Sequence, residues 1–255
     1  MKDMFRLDSK VAVVVGGSGG IGEVCAAALA SRGASIVIAA RTLSRLEDAQ
    51  KRIESKVGVQ AFAATVDVTS EESINNLEKQ VLDKYGTVDI LINAHGINVK
   101  VDALEITAAP WDSLFAINVR GTVLACKAFG KTMVKKRSGK IINFSSIRGV
   151  RATDGGNTLY GASKGAVNMI TRMLAAEWAT HNVNVNAIAP SLIMSEMAMK
   201  NVSPERREMF LAKSPLKRLA KVEDVAGACV YLASSESDFI TGQILYVDGG
   251  LTAVG

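Results

Sequence analysis

The feature that most constrains this chain is an apolar run, Val11-Ala12-Val13-Val14-Val15, that breaks directly into Gly16-Gly17-Ser18-Gly19-Gly20-Ile21-Gly22. An uninterrupted apolar run bounded by glycines suits a strand covered on both faces, as in a parallel sheet. The residues that follow have helical spacing, with Ile21, Val24, Cys25, Ala28 and Leu29 in register and Gly33 placed to end the helix. Glycines between a buried strand and a helix let the backbone turn tightly and approach a pyrophosphate, which then rests on the N–H groups at the helix N-terminus. Spacing alone leaves the pattern open. Gly17, Gly19 and Gly22 fit GxGxxG, and Gly16, Gly20 and Gly22 fit GxxxGxG.

The same alternation continues along the chain. Strands are expected at 36–40, within 59–68, and at 88–93, 140–145, 183–188 and 243–247. Helices are expected at 43–56, 111–135 and 222–233, with further amphipathic faces through Ile74, Leu77, Val81 and Tyr85 and through Val167, Ile170, Thr171, Leu174 and Trp178. Together these predict an α/β fold over residues 1–255. The fold is a single-domain, Rossmann-type doubly wound parallel sheet of about seven strands with helices on both faces. The stretch 191–215 has no clear periodicity and is read as a substrate lid.

Composition narrows the function classes. Of 255 residues, 48% are apolar, enough for a substantial core. The net charge of +5 is spread along the chain without a long basic block, which argues against nucleic acid as a partner. The densest cluster, Lys135-Lys136-Arg137, is read as a solvated helix end. Three cysteines and two histidines lack metal-ligand spacing, so neither a metal site nor a disulfide framework is expected, and each cysteine is read as a buried hydrophobe. The N-terminal residues show no cleavage site and no span-length apolar run, so a cytoplasmic protein without a membrane partner is expected.

The end of the second strand bears on cofactor choice. A site for NAD(H) wants a carboxylate there, about 20 residues past the glycines, to hold the ribose 2′-hydroxyl. This chain has Ala39-Ala40-Arg41 and no acid until Glu47. Arg41 suits a 2′-phosphate, so NADP(H) is preferred and NAD(H) remains possible.

Several elements, in order, resemble the short-chain dehydrogenase/reductase family over nearly the whole chain. The glycine turn resembles TGxxxGxG with Val15 replacing threonine, and Asn93-Ala94-His95-Gly96 resembles NNAG with departures at Ala94 and His95. Ile117-Asn118-Val119-Arg120-Gly121 is similar to the family's helix asparagine element. Tyr160-Gly161-Ala162-Ser163-Lys164 matches YxxxK and is preceded by Ser145-Ser146. Asn186-Ala187-Ile188-Ala189-Pro190 and Val247-Asp248-Gly249-Gly250 resemble later elements. The resemblance implies hydride transfer between a nicotinamide cofactor and an alcohol or carbonyl. It implies that the catalytic residues are Asn118, Ser146, Tyr160 and Lys164. Cofactor contacts implied are Gly16, Ser18, Gly20, Ile21, Gly22, Arg41, Asp67, Val68, Asn93, Gly96, Tyr160, Lys164, Pro190, Ile193 and Ser195. It also implies a homotetramer built on the last strand and the long helices.

The chemistry behind these assignments is physical. A phenol titrates near pH 10 and needs help to act as an acid or base at neutral pH. Tyr160 and Lys164 are one helical turn apart, and an ammonium beside the phenol, with the positive nicotinamide ring, would favour the phenolate. Ser146 would stabilise charge on the substrate oxygen. It lies one residue farther from Tyr160 than in many family members, which leaves Ser145 as the fallback. By resemblance, Lys164 would hold the nicotinamide ribose hydroxyls, and Asn118 a water that returns protons to Lys164. His95 is read as packing beside the sheet.

Substrate contacts are expected from Ser146, Arg148, Asn157 and Tyr160, with Arg148 and Arg151 as candidate partners for a carboxylate. The overall texture resembles sugar-acid and polyol dehydrogenases of the gluconate 5-dehydrogenase type. Reductases of 3-oxoacyl-carrier proteins are the alternative, and Ala176 before Glu177 counts against them. A catalytically silent NADP-binding sensor is a third reading, opposed by the intact serine, tyrosine and lysine.

Overall fold

The computed structural model describes residues 3–194 and 203–254. Ser195 and part of the expected lid, 195–202, lie outside the described residues. Seven parallel strands form one sheet in the order β3-β2-β1-β4-β5-β6-β7. They are β1 (Val11–Val15), β2 (Ser35–Ala40), β3 (Phe62–Thr65), β4 (Ile90–Asn93), β5 (Gly139–Phe144), β6 (Val183–Pro190) and β7 (Ile244–Val247). The chain belongs to the doubly wound class expected from its alternation.

Period-two alternation divides the core. Ala12 and Val14 of β1 face one cluster, with Cys25, Ala26 and Leu29 of α1 (Gly20–Ala30), Leu46, Ala49 and Ile53 of α2 (Leu43–Val57), and residues of a later helix. Val11, Val13 and Val15 face the other. There they meet Ile74, Leu77 and Val81 of α3 (Glu71–Tyr85), and Phe129 and Met133 farther along the chain. All five residues of β1 are buried, as a strand covered on both faces requires.

Register positions the site. Val15 of β1 pairs with Ala39 of β2 and Asn93 of β4, and Asn93 pairs in turn with Asn143 of β5. The segments after these strands therefore emerge at one edge. The order reverses there, because β1 lies between β2 and β4, and a crevice opens at such a switch point.

The helix predicted over 111–135 is longer and is not uniform. It comprises α4 (Ala108–Phe115), a π-turn (Ala116–Arg120) and α5 (Gly121–Lys136). Gly121 N–H reaches back to the Ala116 carbonyl, five residues earlier. At Gly121 a β-carbon would lie 3.0 Å from Val68, so this helix crosses the segment after β3 almost backbone to backbone. The basic end of α5 is more than solvated, contrary to expectation. Lys136 pairs with Asp89 at 2.6 Å, and Asp89 also accepts from Val11 N–H, tying the helix end to the start of β1. Arg137 takes the left-handed capping conformation and donates to the Thr180 carbonyl.

Among the described residues, three further α-helices follow, α6 (Thr158–Trp178), α7 (Pro204–Lys213) and α8 (Val222–Ala233). No helix among the described residues is long and apolar enough to cross a membrane. The three cysteines are buried and unpaired.

Candidate active site

The glycine turn is closed by backbone contacts that no side chain could share. A β-carbon on Gly22, in the first turn of α1, would lie 2.2 Å from the Gly16 carbonyl oxygen. One on Gly16, whose φ is +92°, would lie 2.6 Å from the His95 backbone nitrogen. Gly20 also has positive φ, whereas Gly19 has open space around it. A side chain is thus excluded by close approach at Gly16, Gly17 and Gly22, and positive φ marks Gly16 and Gly20. No side chain caps α1, so its first N–H groups face the crevice edge, with Ser18 and Ile21 half-buried beside them. A pyrophosphate fits this cradle, because small residues admit it and the helix end supplies donors.

Arg41 is exposed just past β2. Its charge reaches Asp67, whose carboxyl is held below its ordinary range by hydrogen bonds from the Thr69 N–H and hydroxyl, with Arg41 contributing less. Val68 is buried against Gly121. Pro190 ends β6, and Ile193 is buried and bridged to Ala220. Asn93 does not face the crevice as expected. Its amide turns into the core and donates to Asn143 Oδ1 at 2.9 Å, because the strand alternation points it beneath the sheet.

Tyr160 and Lys164 lie in the first two turns of α6. Ser146, which follows β5, stands by the Tyr160 phenol and favours its ionised form, while Ser145 turns away and donates to the Lys164 carbonyl at 3.2 Å. The two serines are thereby distinguished. Lys164 is buried, and Nζ donates to the Phe144 carbonyl at 2.7 Å and sits 5.8 Å from the Tyr160 ring centre. Burial lowers its pKa to about 8.

The expected lowering of the tyrosine pKa by Lys164 is not found in the protein alone. Burial raises the phenol above its ordinary value, and the opposing influences are the Ser146 hydrogen bond and the Arg148 charge. The reason is that Lys164 is itself desolvated and directs Nζ to a backbone carbonyl.

Asn118 lies on the π-turn. Its carboxamide is committed on both sides, accepting from Ile97 N–H and donating to the Ile97 carbonyl and the Ser163 hydroxyl. Gly96 lies between them: a β-carbon there would lie 3.3 Å from Asn118 Oδ1 and 3.5 Å from Lys164 Nζ. The side chain of Asn118 therefore ties the loop after β4 to the π-turn.

At the mouth, Arg148 N–H donates to Ser146 Oγ and the guanidinium to the Ala152 carbonyl. Arg151 donates to the Leu251 carbonyl and so braces the C-terminal segment. Asn157 is buried, donates to the carbonyls of Asp154 and Gly155, and faces Asn98 at 3.4 Å, which makes it a brace of its loop. Among the described residues no cluster of three metal-ligating side chains occurs.

The sequence relates to known proteins over its full breadth. Residues 16–252 match the family model described as enoyl-(acyl carrier protein) reductase. The chain is 38% identical to galactitol 2-dehydrogenase (L-tagatose-forming) of Cereibacter sphaeroides, covering 98% of each. It is 35% identical to gluconate 5-dehydrogenase of Gluconobacter oxydans, covering 98% of this chain and 97% of that one. This protein belongs to the short-chain dehydrogenase/reductase family. Among solved structures, a gluconate 5-dehydrogenase from Burkholderia cenocepacia in complex with NADP and tartrate superposes with a TM-score of 0.93 at 31% identity, covering 99% of both chains.

Two features of this short-chain dehydrogenase/reductase were not visible beforehand. The π-turn leaves no distinct mark in Ala116-Ile117-Asn118-Val119-Arg120, a run without glycine or proline. Thr122 hydrogen-bonds the Asn118 carbonyl at 2.9 Å and lies 3.4 Å from His95 Nε2, a pairing between distant segments.

Substituting each serine separates their duties. Ser146→Ala should lower turnover by about 10²–10³-fold, as for a lost donor to a developing oxyanion. Ser145→Ala should cost about 1 kcal/mol of stability and retain turnover. Reversed kinetic outcomes would exchange the two roles. Lys164 also predicts a pH effect. Its folded pKa near 8 lies below the unfolded value of ~10.4, so its burial weakens folding fully below pH 8 and not at all above the unfolded value. Relative to Lys164→Met, the stability of the protein without cofactor should rise between those limits. Parallel urea midpoints across that window would contradict it.

Proposed function

We propose that this enzyme interconverts a secondary alcohol and a ketone on a sugar acid or polyol, with NADP(H) as the preferred cofactor. The observation that carries the reading is the placing of Ser146 by the Tyr160 phenol, one helical turn from a buried Lys164. The relatives named for galactitol and gluconate, and the neighbour holding NADP and tartrate, support the substrate and cofactor classes.

The bound nicotinamide supplies or accepts the hydride. Gly16, Gly20 and Gly22 admit the pyrophosphate, Arg41 pairs with the 2′-phosphate, and Asp67 and Val68 flank the adenine. Gly96, Pro190 and Ile193 lie along the remaining cofactor path, and Ser195, outside the described residues, is assigned from the motif alone. Asn93 serves the site indirectly, through the strand end it anchors.

Ser146 holds the substrate oxygen, and Tyr160 exchanges the proton with it. Positive charge near the phenol is what brings its pKa toward neutrality. Arg148 already supplies some, and a cationic cofactor ring would add more. Lys164 positions the ribose hydroxyls and passes protons to Tyr160. Arg148 lies where a substrate carboxylate would meet a guanidinium. Asn157 shapes the pocket wall rather than contacting substrate.

The lid over 191–215 is supported by α7, whose Phe210 packs on Ile147 and Leu251. A homotetramer is supported by exposed apolar side chains on α6 and around β7, among them Met169, Met173, Phe239 and Leu245. Three unpaired buried cysteines suit a cytoplasmic enzyme.

Each part has a direct test. With gluconate, galactitol, threitol and an acetoacetyl thioester as probes, a sugar acid or polyol should be turned over best; preference for the thioester would redirect the substrate class. Tyr160→Phe should abolish turnover and leave the NADPH dissociation constant within about twofold, by fluorescence titration, because only the hydroxyl is lost. Arg41→Ala should weaken NADPH about tenfold (~1.4 kcal/mol) and hardly change NADH. Equal losses for both cofactors would remove Arg41 from the 2′-phosphate. Light scattering should give four chains per particle, and a monomer would overturn the tetramer.

A further inference from the structure

Proton traffic at Lys164 needs a route. In the reducing direction each turnover passes one proton from Tyr160 to the substrate oxygen, and one must return to Tyr160 through Lys164. Lys164 is only 4% exposed, so little solvent surrounds it. The Asn118 amide donates to Ile97 and Ser163, and among the described residues its Oδ1 accepts from Ile97 N–H alone, which leaves that oxygen one lone pair.

His95 stands beside this machinery, on the segment after β4 and against Gly16 of the turn. Its ring lies against the Ile117 backbone of the π-turn, with Nε2 3.4 Å from Thr122 Oγ1. The threonine hydroxyl has one proton and gives it to the Asn118 carbonyl. Toward the ring its oxygen is therefore an acceptor, which places the imidazole proton on Nε2 and a lone pair on Nδ1. That Nδ1 is buried and has no partner among the described residues. An unpartnered buried acceptor costs about 1–3 kcal/mol, a penalty alanine at this position would avoid. The ring stays neutral, because burial and the nearby Lys164 charge hold its pKa down to about 3.

We propose that His95 is a positioning residue for proton return, holding the Asn118 turn through Thr122 and offering Nδ1 to order a proton-carrying water beside Lys164. The charged or titratable groups this involves are Lys164 from α6 and, beyond it, Tyr160 with Arg148. The inference rests on the reading of Tyr160 and Lys164 as the acid/base pair.

The test pairs spectroscopy with kinetics. In protein labelled with ¹⁵N-histidine, without cofactor, the His95 ring should be neutral with its proton on Nε2 from about pH 6 to 9. A proton on Nδ1 would overturn the proposal. His95→Ala, assayed with whichever polyol or sugar acid is turned over, should lose about tenfold in turnover, keep both KM values within about twofold, and show about twice the solvent deuterium isotope effect. Added imidazole should restore part of the rate. Loss of stability and cofactor affinity without an isotope effect or rescue would mean a merely structural ring and would overturn it, as would unchanged turnover. Retained turnover in Tyr160→Phe would instead defeat the underlying acid/base reading, whatever His95 does.

Discussion

The site depends on a contact between backbones: Gly22 at the start of α1 lies against the Gly16 carbonyl, and Gly16 lies against the chain leaving β4. This is where the strand order reverses, so the first contact sets the pitch of α1 and the second brings in the segment that carries His95 and Gly96. Gly96 then meets Asn118 and Lys164, which joins the two halves of the chain. A single methyl group at Gly22 would have to occupy the position of a carbonyl oxygen. The glycine turn is therefore an assembly point for the catalytic side as well as a cradle for phosphate.

The electrostatics run against the chemistry until the site is filled. Burial raises the Tyr160 pKa and lowers that of Lys164, so each group is pushed toward its neutral form. Both shifts have one cause, the loss of water around groups packed beneath the crevice. A pocket of this kind responds strongly to added positive charge, because little solvent is present to screen it. The protein meets part of that need with Arg148.

Support for the site comes from segments far from it in sequence. Asp248 accepts from the N–H groups of Gly250 and Thr252, and the left-handed Gly249 and Gly250 lie against Ser214 and Pro215. Arg151 adds a bond to the Leu251 carbonyl. The Val247-Asp248-Gly249-Gly250 element thus braces the end of α7 and the loop after Ser146 together, a role that its motif does not reveal.

The doubly wound sheet, the position of the glycine turn and the Tyr160–Lys164 pair were legible in the sequence, because each is local. Burial on two faces is written in an unbroken apolar run, and a four-residue interval on a helix decides which side chains share a face. Other features needed the tertiary structure. Ser146, the serine expected from the motif, is the one beside Tyr160, because the path of the chain after β5 decides which hydroxyl faces α6. Asn93 faces the core, because strand register sets its side. The π-turn and the His95–Thr122 pairing arise where two segments pack, and no periodicity within either one encodes the other. Local propensity fixes elements through neighbouring residues; the direction of a side chain in a crevice depends on distant ones.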